Sequence, residues 1–163
     1  MTDILRHRPG YALRRAANAM MAELARRLGT IDLRIAEASV LLLIDGRTDA
    51  TASEIGRILD IQRANMVPLL NRLEEAGLIE RRPIDGKSQA VLLTGAGRAR
   101  RHEADAITTA FEEDLMARIA PGHRDHLVPA LDALWGEAPQ HEDHSHGDHS
   151  HEDNSHEDNS HAG

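Results

Sequence analysis

A mostly α-helical domain carrying one β-hairpin is the fold class this sequence predicts, and three observations lead to it. Apolar residues make up 40% of the 163-residue chain, enough for a core, yet Tyr11, Phe111 and Trp135 are its only aromatics. A core of Leu, Ile, Ala and Val without large rings suits helices better than a β-sandwich. Apolar residues also recur at spacings of three and four through most of the first 136 positions, the period of an amphipathic helix. Around residue 80 this pattern gives way to two short strand-like runs flanking Asp85-Gly86, a hairpin signal.

The elements follow in chain order. Residues 1–10 form an N-terminal arm, closed by Pro9-Gly10. Residues 11–28 read as a helix with Leu13, Ala17, Met20, Leu24 and Leu28 on one face and Arg14, Arg15, Glu23, Arg26 and Arg27 on the other, ended by Gly29. Asp32 is placed to cap a second helix over 33–44, apolar nearly all round from 40 to 44 and stopped by Asp45-Gly46. Thr51-Ala52-Ser53-Glu54 has the spacing of a capping box and opens a short helix with Ile55, Ile58 and Leu59 inward. After Asp60-Ile61-Gln62, a helix over 63–76 carries Met66, Leu69, Leu70 and Leu73 as its apolar stripe, and Gly77 suits the position just past its end. Strands are expected over 78–82 and 90–94. A long helix over 96–119 follows with Ala104, Ile107, Phe111, Leu115 and Ile119 on one face, then a break at Pro121-Gly122 and a last helix over 124–135.

Composition narrows the function. There is no cysteine, which excludes disulfides, thiolate metal sites and cysteine redox chemistry. The N-terminus has no apolar signal-peptide core, and no run approaches the ~20 apolar residues of a membrane helix, so a soluble, cytoplasmic protein without a membrane partner is expected. The net charge of −8 is unevenly spread. All 19 basic residues and 19 of the 27 acids precede residue 137, so the body is neutral and the excess acid lies in 137–163. Residues 47–101 are locally basic, with ten Arg or Lys against seven acids. No Gly-rich phosphate loop, cysteine nucleophile or HExxH motif is present; an enzyme is not expected.

Two short helices joined by a three- or four-residue turn, the second followed by a hairpin, make a helix-turn-helix with a wing. A helix fits the major groove of a DNA duplex, where each base pair shows a distinct donor and acceptor pattern. The second helix begins Gln62-Arg63-Ala64-Asn65, setting amide, guanidinium and amide in the turn that meets base edges. Arg pairs well with guanine and Asn or Gln with adenine. Lys87 sits at the hairpin tip, with Arg81 and Arg82 on its first strand.

Residues 59–82 (LDIQRANMVPLLNRLEEAGLIERR), then Asp85-Gly86-Lys87 and the run VLLTGAG over 91–97, resemble the recognition helix, wing and "LT-x-x-G" helix start of the MarR family of transcription regulators. The likeness covers roughly residues 11–135. It implies a winged helix-turn-helix lobe over about 32–95, flanked by long dimerisation helices at 11–28 and 96–135. It further implies a homodimer on double-stranded DNA, a pseudo-palindromic operator, and repression relieved by a small-molecule effector. Lys87 stands where the family's wing usually has Arg. Pro68 stands where it usually has a polar or basic residue, and Ala64 and Val67 where Ser or Thr is common; Pro68 is expected to kink or widen the helix.

The residues expected at DNA are Ser53, Gln62, Arg63, Ala64, Asn65, Arg72, Arg81, Asp85 and Lys87. Each keeps a plainer alternative: Ser53 a helix cap, Arg72 an ion pair with Glu74 or Glu75, Asp85 a residue that orients the wing. Phosphate contacts fix register and base contacts specify sequence. The family resemblance places an effector pocket between the dimerisation helices and the DNA-binding lobe; Tyr11, Arg14, Arg34 and Glu37 are its candidate lining, and an Arg there suits an anionic or phenolic compound.

The end of the chain repeats every five residues from 141. His141, His146, His151, His156 and His161 mark the period, with His144 and His149 between them, among seven acids. With no apolar residue before Ala162 this segment cannot build a core and is expected to be disordered. Imidazole with nearby carboxylate suits zinc, nickel or copper. No cofactor is required by this reading, but a metal-responsive or metal-buffering protein stands as its alternative.

Overall fold

The computed structural model describes residues 4–5, 7–84 and 88–136. Six helices and one hairpin run in the order α1 (Pro9–Gly29), α2 (Ile35–Leu43), α3 (Ala52–Ile58), α4 (Arg63–Glu75), β1 (Ile79–Pro83), β2 (Gln89–Leu93), α5 (Gly95–Ala117) and α6 (Pro121–Trp135). The first 120 residues form one compact unit, and α6 belongs to a second.

The core of the first unit is aliphatic. Leu28, Val40, Leu41, Ile44, Ile55, Leu73 and Val91 are fully buried, and Phe111, 4% exposed, packs in the same cluster. Helix α1 buries Leu24 and Leu28 toward its C-terminal end, whereas Leu13 is 41% and Met21 49% exposed. Arg27 reaches from α1 to Asp114 on α5 at 2.7 Å while also donating to Glu23. Hydrogen bonds from Arg26 and Arg27 hold the Glu23 carboxyl far below the ordinary carboxylate range, at about 2.

Local chemistry sets most boundaries. The Thr51 hydroxyl accepts from Glu54 N–H, capping α3. Gly77, at φ 70°, ends α4 in a Schellman arrangement: its N–H donates to the Glu74 carbonyl and that of Leu78 to the Leu73 carbonyl. Helix α2 departs from expectation. Asp32 does not cap it but lies in the left-handed region at φ 54°; Arg34 is the N-cap residue, and the Glu37 carboxylate accepts from the Arg34 N–H at 2.8 Å. Helix α6 begins at Pro121 rather than after it, since proline in a first helical turn lacks only an N–H that has no intrahelical partner there. Ile58 is 42% exposed instead of inward; α3 spans seven residues and buries only Ile55 and Gly56.

The "LT-x-x-G" motif has a physical basis. The Thr94 hydroxyl accepts from Gly97 N–H at 2.9 Å, capping α5, and donates to the Gly77 carbonyl at 2.6 Å, tying the end of α4 to the start of α5. A Cβ at Gly97 would lie 1.9 Å from the Leu78 carbonyl oxygen, a backbone atom that no rotamer change can move. Gly97→Ala is therefore expected to cost about 3 kcal/mol, at the upper end of overpacking penalties. A free energy of urea unfolding within about 0.5 kcal/mol of wild type would rule out this close approach.

Candidate nucleic-acid interface

Helices α3 and α4 pack at close range because Gly56 has no side chain. A Cβ there would sit 3.0 Å from the Ile61 carbonyl and 3.2 Å from Met66 Cγ. The turn between them holds Asp60 at φ 51°, a left-handed conformation that aspartate tolerates better than most residues. Met66, Leu70 and Leu73 bury one face of α4 and leave Arg63, Ala64, Asn65, Val67 and Pro68 exposed.

The hairpin is joined to this pair of helices. Strands β1 and β2 run antiparallel with Arg81 opposite Val91 and Pro83 opposite Gln89. Thr51 forms an isolated bridge with Ala90, and Val91 N–H donates to the Ala50 carbonyl at 2.8 Å. These bonds set the wing at a fixed place beside α3. Between α3, the start of α4 and the wing strands lies an open groove of about 1120 Å³, lined among others by Arg57, Gln62, Arg63, Val67, Arg81 and Gln89. Arg57 and Arg63 form no ion pair with any described residue, so two guanidinium groups stand available along one trough.

The expected DNA residues therefore separate into groups. Ser53, Gln62 and Arg63 line the groove. Ala64 is exposed on α4. Asn65, one position further round the helix, lines a different, smaller cavity of about 260 Å³ together with Arg34, Glu37, Pro68, Leu69 and Arg72. Arg81 also borders the groove, but its guanidinium donates to Asn71 Oδ1 at 2.7 Å and lies 3.6 Å from Glu74. Arg72 pairs with neither Glu74 nor Glu75. Its Nε lies 2.8 Å from Glu37, a residue only 2% exposed, and its Nη2 lies 3.5 Å from Asp32. The guanidinium is drawn back onto α2 because the buried Glu37 carboxylate needs a partner. Asp85 and Lys87 lie outside the described residues, as do the seven tail histidines. Among the described residues, no group of three or more His, Asp or Glu could hold a metal ion.

Pro68 does not interrupt α4, which is one continuous α-helix from Arg63 to Glu75. The bond it removes would run to the Ala64 carbonyl, on the exposed side of the helix, where water can replace it.

The four candidate effector residues fall at two places. Tyr11 and Arg14 meet on α1, with the guanidinium 5.3 Å from the ring centroid. Arg34 and Glu37 border the small cavity between α2 and α4, whose lining includes neither Tyr11 nor Arg14. Glu37 is already engaged by the Arg34 N–H and by Arg72, which makes it a structural carboxylate. Arg57 and Gln89 escaped the sequence reading: no motif marks them, and their elements are brought together by the bridge between Thr51 and Ala90 and the bond from Val91 N–H to the Ala50 carbonyl.

A family model described as MarR family matches residues 31–88, from the approach to α2 through the wing. The HTH-type transcriptional repressor Rv2887 of Mycobacterium tuberculosis is 28% identical over 119 residues, which cover 71% of this chain and 86% of that protein. Its structure in complex with salicylic acid superposes with a TM-score of 0.62 at 25% identity, covering 77% of this chain and 95% of that one. The transcriptional repressor CouR bound to a 23-mer DNA duplex is 32% identical with a TM-score of 0.74, over 82% of this chain and 96% of that one. CouR bound to p-coumaroyl-CoA is 30% identical, also at 0.74, over 84% of this chain and 98% of that one.

Proposed function

This chain belongs to the MarR family, and from that premise we propose that it is a ligand-responsive transcriptional repressor that binds a pseudo-palindromic operator as a homodimer. The observation that carries the reading is the groove beside α4, where the guanidinium groups of Arg57 and Arg63, unpaired among the described residues, stand next to the exposed start of the helix. A phosphate strand lying in this trough would bring the start of α4 to the base edges of the major groove. CouR, similar over nearly its whole length, was solved on a DNA duplex. Self-association has its own support: α1 leaves Leu13 and Met21 exposed, and α6, within its own unit, exposes Val128 and Leu134. A second copy is the occupant that would cover such faces symmetrically. Among the described residues no helix is long and apolar enough to cross a membrane.

The effector is a small anionic or phenolic compound in this reading. The ligands of the similar CouR and Rv2887 structures, p-coumaroyl-CoA and salicylic acid, are of that chemistry. Arg34 and Arg72 border the cavity behind α4, and an anion entering there would compete with Glu37 for Arg72. The test is selection of genomic fragments by the purified protein, followed by sequencing. Enrichment of a two-fold symmetric motif with half-sites about one helical turn apart supports the reading; no enriched motif overturns it.

The histidine repeat favours a second role, metal response through the tail. If the tail senses metal, zinc or nickel shifts operator affinity of the full chain and not of a chain ending at residue 136. Coincident titration curves for the two proteins would dismiss that role.

A further inference from the structure

In its first two turns the exposed side of α4 is apolar where a base-reading helix is expected to be polar. Ala64, Val67 and Pro68 are all exposed, and Val67, at 57%, is more exposed than Leu13, Met21, Ile58 or Ile84 in the same unit. At 100° per residue these three positions span one sector of the helix surface, opposite the buried stripe of Met66, Leu70 and Leu73. Polar groups flank the sector on either side. Gln62 and Arg63 line the groove toward the wing, and Asn65 lines the cavity toward α2. Leaving a valine methyl pair in water gains nothing for the free chain.

The first two turns of α4 therefore offer a duplex an apolar ridge between hydrogen-bonding shoulders. In the major groove the one apolar group on a base edge is the C5-methyl of thymine. We propose that Ala64, Val67 and Pro68 read thymine methyl groups, so that part of this protein's specificity rests on apolar contact, with Arg63 and Asn65 supplying hydrogen bonds at neighbouring pairs. The inference rests on the reading of α4 as the helix that enters the major groove. It adds which chemical group the middle of that helix recognises.

Deoxyuridine in place of thymidine removes the methyl and leaves every hydrogen-bonding group and the base pair intact. On the operator found by selection, each thymine of a half-site is replaced in turn, in both half-sites together, and affinity is measured at fixed salt. Loss of one buried methyl is worth about fourfold, so the symmetric pair of changes is expected to weaken binding roughly 15-fold at one or two positions. Val67→Ala, an exposed substitution with no core contact to lose, is expected to remove the thymine–uracil difference at one of them while still binding the operator. Equal affinity for all deoxyuridine duplexes, or half-sites selected without thymine, would overturn the inference while leaving operator recognition intact. A protein that binds no duplex at all would overturn both. A thymine–uracil difference unchanged in Val67→Ala, Ala64→Gly and Pro68→Ala would show that the methyl is read elsewhere.

Discussion

Arg63→Ala is expected to abolish the preference for operator over random duplex while leaving fold and self-association unchanged. Arg63 is exposed at the first position of α4 and forms no ion pair with any described residue, so the folded chain loses no partner with it. A well-placed guanidinium–guanine pair discriminates by ~1–3 kcal/mol, and a symmetric dimer loses the contact twice. Operator affinity should fall on the order of 100-fold or more, toward the level of non-specific binding. A gel shift at controlled salt measures it, with sedimentation confirming the unchanged assembly. Operator affinity within twofold of wild type would remove Arg63 from the interface. Weakening that is equal on all sequences would assign it to phosphate instead, with a salt slope smaller by about two, one for each protomer.

Arg72→Ala is expected to act on the fold rather than on DNA. Glu37 is 2% exposed, and its two oxygens are met by the Arg34 N–H and by Arg72 Nε, each at 2.8 Å. Removing one partner of a buried ion pair leaves a carboxylate short of its compensation, at about 3–5 kcal/mol for full burial. The Arg72 side chain is 40% exposed, so water can approach the orphaned oxygen, and a loss nearer 2 kcal/mol is expected. Glu37→Gln in the Arg72→Ala background should recover part of it, because a neutral amide has no charge to desolvate. Were Arg72 instead held for a backbone phosphate, its replacement would leave the urea midpoint alone and lower the salt slope. Because Arg72 joins α2 to the helix proposed to enter DNA, Arg72→Ala should also blunt the response of operator binding to effector.

Much of the fold was legible because its determinants are local. Thr51 caps α3, Gly77 ends α4 and Thr94 opens α5 through bonds that span no more than about five residues along the chain, and such signals survive in sequence order. The helix-turn-helix and its wing could be placed for the same reason. Long-range pairings were not legible. Nothing near Arg72 points to Glu37, 35 positions earlier, and pairing with Glu74 or Glu75 was the local alternative that tertiary packing displaced. Asp32 carries a good capping side chain, but its left-handed backbone passes the N-cap to Arg34, two residues on. Arg63 and Asn65, two positions apart in the motif, part company because two residues of helix turn through 200°: the first borders the groove by the wing, the second the cavity by α2. The apolar ridge of Ala64, Val67 and Pro68 was visible as letters, but its exposure required knowing which face Met66 and Leu70 bury.

In the proposed complex α4 lies in the major groove, presented twice by a symmetric pair of chains. Dimethyl sulfate tests it directly, since it methylates guanine N7 in the major groove and adenine N3 in the minor groove. With the full-length protein on its selected operator, guanine N7 should be protected in two major-groove patches about one helical turn apart, related by the operator's two-fold axis. Saturating protein that leaves every guanine N7 reactive, or protects adenine N3 alone, would contradict the account.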